Sequence, residues 1–174
     1  VVFISIVTLA YYFVSKEKQE ITLSESYITA KVYLENKEKE KAKNILKSIV
    51  LTENNPYSVL SLFLILDGNL ISEQKELLSL FDQVIQNNKF EKEVTNLVIY
   101  KKALFLSNFV SESELLSSVK PLTSSETIWK PHALMLLGDY FVSKKEYKKA
   151  EEFYLEILSL KGIQKEMYEQ ARSQ

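Results

Sequence analysis

An internal repeat is the feature that most constrains this chain. Apolar residues recur three and four positions apart through nearly all of residues 21–174, with no alternating strand pattern and no Pro/Gly-rich linker, which predicts helices. Within that pattern a small or apolar anchor is followed twelve residues later by another: Ala30 and Ala42, Ile65 and Leu77, Ala103 and Leu115, Gly138 and Ala150. The first anchors lie 35, 38 and 35 residues apart. Three, sixteen and nineteen residues beyond them stand Tyr33, Leu46 and Ile49; Gly68, Phe81 and Val84; Leu106, Val119 and Leu122; Phe141, Tyr154 and Ile157. All but Gly68 suit a packed interior. A short polar break separates the anchors of each pair (Glu35–Lys37, Asn69–Ser72, Ser107–Ser113, Ser143–Glu146), so each unit reads as helix, turn, helix. The anchors face each other across the antiparallel pair, where small side chains let the backbones approach. The expected fold is therefore all-α, a solenoid of about four helical hairpins, each burying its apolar face on the next.

Composition narrows the function. With 174 residues, 46% of them hydrophobic, the chain can bury a sizeable core. Its 22 basic and 23 acidic residues leave a net charge of -1, which offers no field for a nucleic acid. Cysteine is absent, so disulfides and thiolate chemistry are excluded while the redox compartment stays open. Three glycines and one histidine leave little room for a phosphate-cradling loop or a histidine-based active site.

Residues 1–14 (VVFISIVTLAYYFV) carry no charge and stop abruptly at Ser15-Lys16-Glu17-Lys18. Fourteen helical residues reach roughly 21 Å, short of the roughly 30 Å hydrocarbon core. Because the chain opens on Val1, the run is expected to be the end of a truncated transmembrane helix, with Tyr11, Tyr12 and Phe13 as its interfacial belt. A buried core helix and the apolar region of a signal peptide are the rival readings; the bulky YYFVSKEK that follows lacks a small-residue cleavage site. The flank to Lys31 balances three lysines against Glu17, Glu20 and Glu25, which suits the translocated side of a membrane. Residues 1–20 then form a membrane helix with its juxtamembrane segment, and residues 21–174 the helical repeat domain.

The fourth unit carries a family resemblance. Leu137-Gly138, Phe141, Tyr147, Ala150 and Tyr154 stand in the order of the tetratricopeptide repeat's Leu-Gly, aromatic, Tyr, Ala and aromatic positions. Leu134 stands where the repeat usually has Trp, and Gly162 where it has the closing Pro. The first unit, with Ala30, Tyr33 and Ala42, matches fairly, while the second and third share only the register. One membrane span followed by about four such units resembles the family of the bacterial ancillary SecYEG translocon subunit. The resemblance implies a single-pass protein of the bacterial inner membrane with its repeat domain in the periplasm.

Local signals refine the frame. Tyr57 to Leu70 is apolar nearly all round, as befits an enclosed helix, and Pro56, Asp67 and Asn69 cut it too short to span a membrane. Pro131 fits the first turn of the fourth unit. Ser111 with Glu114 forms a capping box for a short helix from Glu112 to Val119. Residues 163–172 read as a capping helix that turns Met167 and Ala171 inward.

Chemistry is sparse. His132 has no second His or Cys to complete a metal site or a nucleophile–base pair. The acidic runs alternate with lysines at helical offsets, Glu35 with Lys39 and Lys148 with Glu152, as on a solvated face. Asp67 and Asp82 have apolar sequence surroundings but no visible partner. No catalytic residue, cofactor, metal or small-molecule substrate is expected.

The resemblance instead implies a groove lined by the first helix of each unit. Carried across by register, its positions are Tyr27, Lys31 and Leu34; Val59, Leu62, Leu66 and Asn69; Leu97, Tyr100, Leu104 and Ser107; and His132, Met135, Asp139 and Val142. The Lys/Asn clamp that grips a C-terminal carboxylate in some relatives is missing, so an apolar or amphipathic segment held by burial is expected. A groove filled by the protein's own helices is the rival. Two roles follow: an accessory of protein export that binds translocon or chaperone clients, or a structural scaffold for an envelope assembly or division complex.

Overall fold

The computed structural model describes residues 2–53 and 56–174, with side chains from residue 11 onward; Val1, Asn54 and Asn55 lie outside it. The described residues form nine helices and no strand: α1 Val2–Glu35, α2 Lys39–Val50, α3 Pro56–Asp67, α4 Gln74–Asn87, α5 Lys92–Leu106, α6 Glu112–Thr123, α7 Lys130–Ser143, α8 Tyr147–Ser159 and α9 Lys165–Ser173. They separate into two compact units, Val1–Lys89 and Phe90–Gln174, each containing two anchor pairs.

The register built on anchors accounts for the interior. Both anchors of every pair are buried, as are Leu46, Phe81, Val119 and Tyr154 at the sixteenth position and Ile49, Val84, Leu122 and Ile157 at the nineteenth. The third position is weaker: Phe141 is buried, whereas Tyr33, Gly68 and Leu106 are half-buried.

Turn geometry explains one departure. Helices α1, α3 and α7 end alike, with a left-handed residue (Lys37, φ 63; Asn69, φ 47; Lys145, φ 63) closing a pair of reversed hydrogen bonds. In α1 the Glu38 N–H donates to the Tyr33 carbonyl at 2.8 Å and the Lys37 N–H to Leu34 at 3.0 Å; in α7 Glu146 and Lys145 donate likewise to Phe141 and Val142. The left-handed residue follows the first anchor by seven in α1 and α7 but by four in α3. The true counterpart of Ala30 is thus Leu62, and the second turn is three residues longer. Ile65 satisfies the register because one helical turn along the same face is buried too.

Two helix ends also differ from expectation. Helix α1 does not stop near Val14 but runs unbroken to Glu35, since Ser15 to Glu20 contain no breaker and mostly good helix formers. Helix α6 passes Val119 and carries Pro121 within it, ending at Thr123. The expected membrane run falls largely on residues 1–10, whose side chains lie outside the described ones; among the described residues no helix is long and apolar enough to cross a membrane. The Ser111–Glu114 capping box is present, and α9 turns Ala171 into the core with Met167 packed against it. The surface ion pairs form at an offset one residue shorter than expected: Glu38 pairs with Lys41 and Glu40 with Lys43.

In residues 90–174 α7 and α8 approach closely at Gly138. A Cβ placed on Gly138 would lie 2.4 Å from Cε1 of Tyr154, so the tyrosine ring lies flat against a bare backbone. Replacing Gly138 by Ala should therefore push the ring away and destabilise this unit by about 1–3 kcal/mol. Lys148→Ala, on the exposed face of α8, should change stability by less than about 0.5 kcal/mol. Denaturant unfolding of both variants checks the contact; equal losses would overturn it.

Candidate protein-binding site

The groove positions divide between the two units. In residues 1–89, Tyr27 is half-buried and its ring lies 5.7 Å from that of Tyr57; Lys31 is exposed and Leu34 half-buried. On α3, Val59 is buried, Leu62 is fully buried, Leu66 is half-buried, and Asn69 forms the left-handed turn. In residues 90–174, Leu97, Tyr100, Ser107 and His132 are half-buried, Asp139 is exposed, and Leu104 and Val142 are 41% and 37% exposed. Met135 is only 6% exposed and belongs to the core cluster of this unit. Val59, Leu62 and Met135 are thus corrected from groove to core. All three lie on a helix face that meets neighbouring helices, so their side chains fill the interior of their own unit.

A ring cluster organises the second unit's site. Tyr100 of α5 stacks on Trp129 with centroids 5.5 Å apart, and His132 lies 5.8 Å from Tyr100 and 5.4 Å from Trp129. Trp129 is fixed from behind: its Nε1–H donates to the Glu93 carbonyl at 3.0 Å. The Thr127 hydroxyl donates to the Glu93 carboxylate at 2.6 Å and accepts from the buried Asn96 amide at 2.9 Å. These bonds tie the segment before α7 to the start of α5. Trp129, Thr127, Glu93 and Asn96 are not among the positions expected to line a groove. The one signal for them was Trp129 itself, the chain's only tryptophan, directly before Lys130-Pro131.

The carboxylate of Asp139 is held from below. The Tyr154 hydroxyl, whose ring packs at Gly138, donates to Asp139 Oδ1 at 2.8 Å. Burial, this hydrogen bond and the Asp139 charge all push the Tyr154 hydroxyl pKa upward, so it stays a donor. Tyr100 is raised too, by burial first and then by the charge of Asp139. His132 moves downward because burial disfavours its imidazolium.

Beside His132 lies an open cavity of about 620 Å³ between the start of α7 and the α8–α9 connection, lined by Ile128, Pro131, Leu160, Ile163 and Met167 among others. Among the described residues no group of three or more His, Cys, Asp or Glu side chains could hold a metal ion. Compared with protein-family models, curated proteins and solved structures, the chain matches none.

The sole histidine gives a clean pH test. Its pKa is depressed from 6.5 in the folded state, so the unfolded chain binds the proton more readily as pH falls. The stability it contributes is fully present above pH 6.5 and declines as pH drops toward the lower folded value. Thermal melts between pH 7.5 and about 5.5 should show this decline, and His132→Gln should flatten it.

Proposed function

We propose that this chain is a protein-interaction module of tetratricopeptide type, held at a membrane by the start of α1. The carrying observation is the division of labour on α5 and α7: their anchor faces are buried, while Leu104 and Val142 stand open beside half-buried Leu97 and Tyr100. Clustered exposed apolar side chains of that kind mark interaction surfaces. We read the work as binding without a catalytic step, since the lone imidazole is packed against two aromatic rings.

The membrane tether draws support from α1. Tyr11, Tyr12, Phe13 and Val14 are each more than half exposed, and four consecutive helical residues point round most of the circumference. An isolated, uncharged, apolar stretch of helix is stable in lipid and not in water. With the likeness to the ancillary SecYEG subunit family, we read the protein as an accessory of bacterial protein export, anchored in the inner membrane with its helical repeats in the periplasm. Its partners are then the translocon, a chaperone or their clients. The scaffold reading, a fixed partner in an envelope assembly or division complex, is favoured by the burial of Leu62 and Met135, which leaves less open groove for an unfolded client.

A photoactivatable residue at position 104 in native membranes distinguishes them. An export accessory should crosslink to many partners of varied size, a scaffold to one. Capture equal to that from a probe at exposed Glu151 on α8 would refute the groove. Protease added to intact spheroplasts should digest the repeats; protection until the inner membrane is opened would overturn the orientation.

A further inference from the structure

From the second unit's geometry we infer a bipartite peptide site, selective for an apolar side chain followed by a lysine or arginine. The inference rests on the reading of this unit as a partner-binding surface and states which partner chemistry it accepts. His132 and Asp139 are seven residues apart on α7, hence on one helix face and roughly 10 Å apart along the axis. At the His132 end is the cavity of about 620 Å³, whose Ile128, Leu160, Ile163 and Met167 suit a leucine or phenylalanine side chain. Its rim is nearly neutral: Lys130 is paired with Glu156 at 3.0 Å, and the lining carries both Lys161 and Glu126.

At the other end the carboxylate of Asp139 is positioned by one hydrogen bond and neutralised by none. Oδ1 accepts from Tyr154, and among the described residues no lysine or arginine pairs with this carboxylate. Tyr100 joins the two ends, with its ring against His132 and its hydroxyl feeling the Asp139 charge. Val142 lies one turn beyond Asp139 on α7 and Leu104 one turn beyond Tyr100 on α5, and both offer exposed aliphatic surface along which the stem of a lysine or arginine can lie. A preorganised anion beside apolar surface complements an arriving ammonium or guanidinium. The spacing fits Phe and Lys three residues apart in an extended segment, or seven apart in a helix.

The test uses the full chain and short fluorescent peptides in which Phe and Lys are three apart in a Ser-rich background or seven apart in an Ala-rich one, read by anisotropy. One of these should bind, and changing its Lys to Gln should weaken binding about tenfold. Asp139→Asn, which still accepts the Tyr154 hydrogen bond, should abolish the Lys/Gln difference with an unmoved thermal transition. Ile128→Ser, at an exposed cavity position, should weaken both peptides alike. Equal binding of the Lys and Gln peptides, preference for a Glu peptide, or no binding by any peptide overturns the bipartite site. Crosslinking from position 104 reports separately on the broader reading, which survives if partners are captured while the peptides fail.

Discussion

The contact between Gly138 and the ring of Tyr154 organises residues 90–174. It brings α7 and α8 close enough to bury Ala150, Phe141 and Ile157 together, and it lets the tyrosine hydroxyl reach the residue next to Gly138 on α7. There the hydroxyl meets Asp139. A structural requirement, the absence of a side chain at one position, thus sets the position of a charge on the surface we assign to binding. The same residue that permits packing also helps to place the Asp139 carboxylate.

Much of the fold was legible because anchors are a backbone matter. A small residue at a helix crossing is demanded by interaxial distance, and the twelve-residue interval is set by two helix faces and one turn, so sequence spacing maps onto geometry directly. Ala30 with Ala42 and Gly138 with Ala150 show this, and the buried sixteenth and nineteenth positions follow from helical periodicity. The second unit shows where it breaks. A turn lengthened by three residues leaves the apolar period intact, so Ile65 passed for an anchor although Leu62 holds that place relative to the turn. The left-handed conformations at Lys37 and Lys145 were invisible for a related reason. Glycine, which ordinarily marks such a turn, is scarce in this chain.

The site was less legible, because whether a groove position faces solvent depends on its neighbours and not on its own helix. Met135 and Asp139 are one turn apart, yet one lies in the core and the other is exposed. Met135 packs within the core cluster of its unit, whereas Asp139 meets the Tyr154 hydroxyl at the surface. Trp129 illustrates the opposite failure: it lies at the helix start, three residues before His132 and so one step beyond the first groove position of α7, and it becomes part of the site through a long-range bond to Glu93. A partner between loop and helix more than thirty positions away leaves no trace in local pattern.

The unbroken course of α1 has a mechanical consequence. From Val14 to Ala30 the helix rises roughly 24 Å with no glycine, proline or loop to absorb a bend. A flexible leash would let the first unit roam a sphere, whereas a stiff stem confines it to a narrow shell at set height and fixes which side it turns outward. Whatever grips the beginning of α1 thereby aims residues 30–89, and rotation of the stem by one residue, about 100°, would swing that unit to a different azimuth. Length and phase of the stem are then as much a part of partner geometry as the side chains that touch the partner.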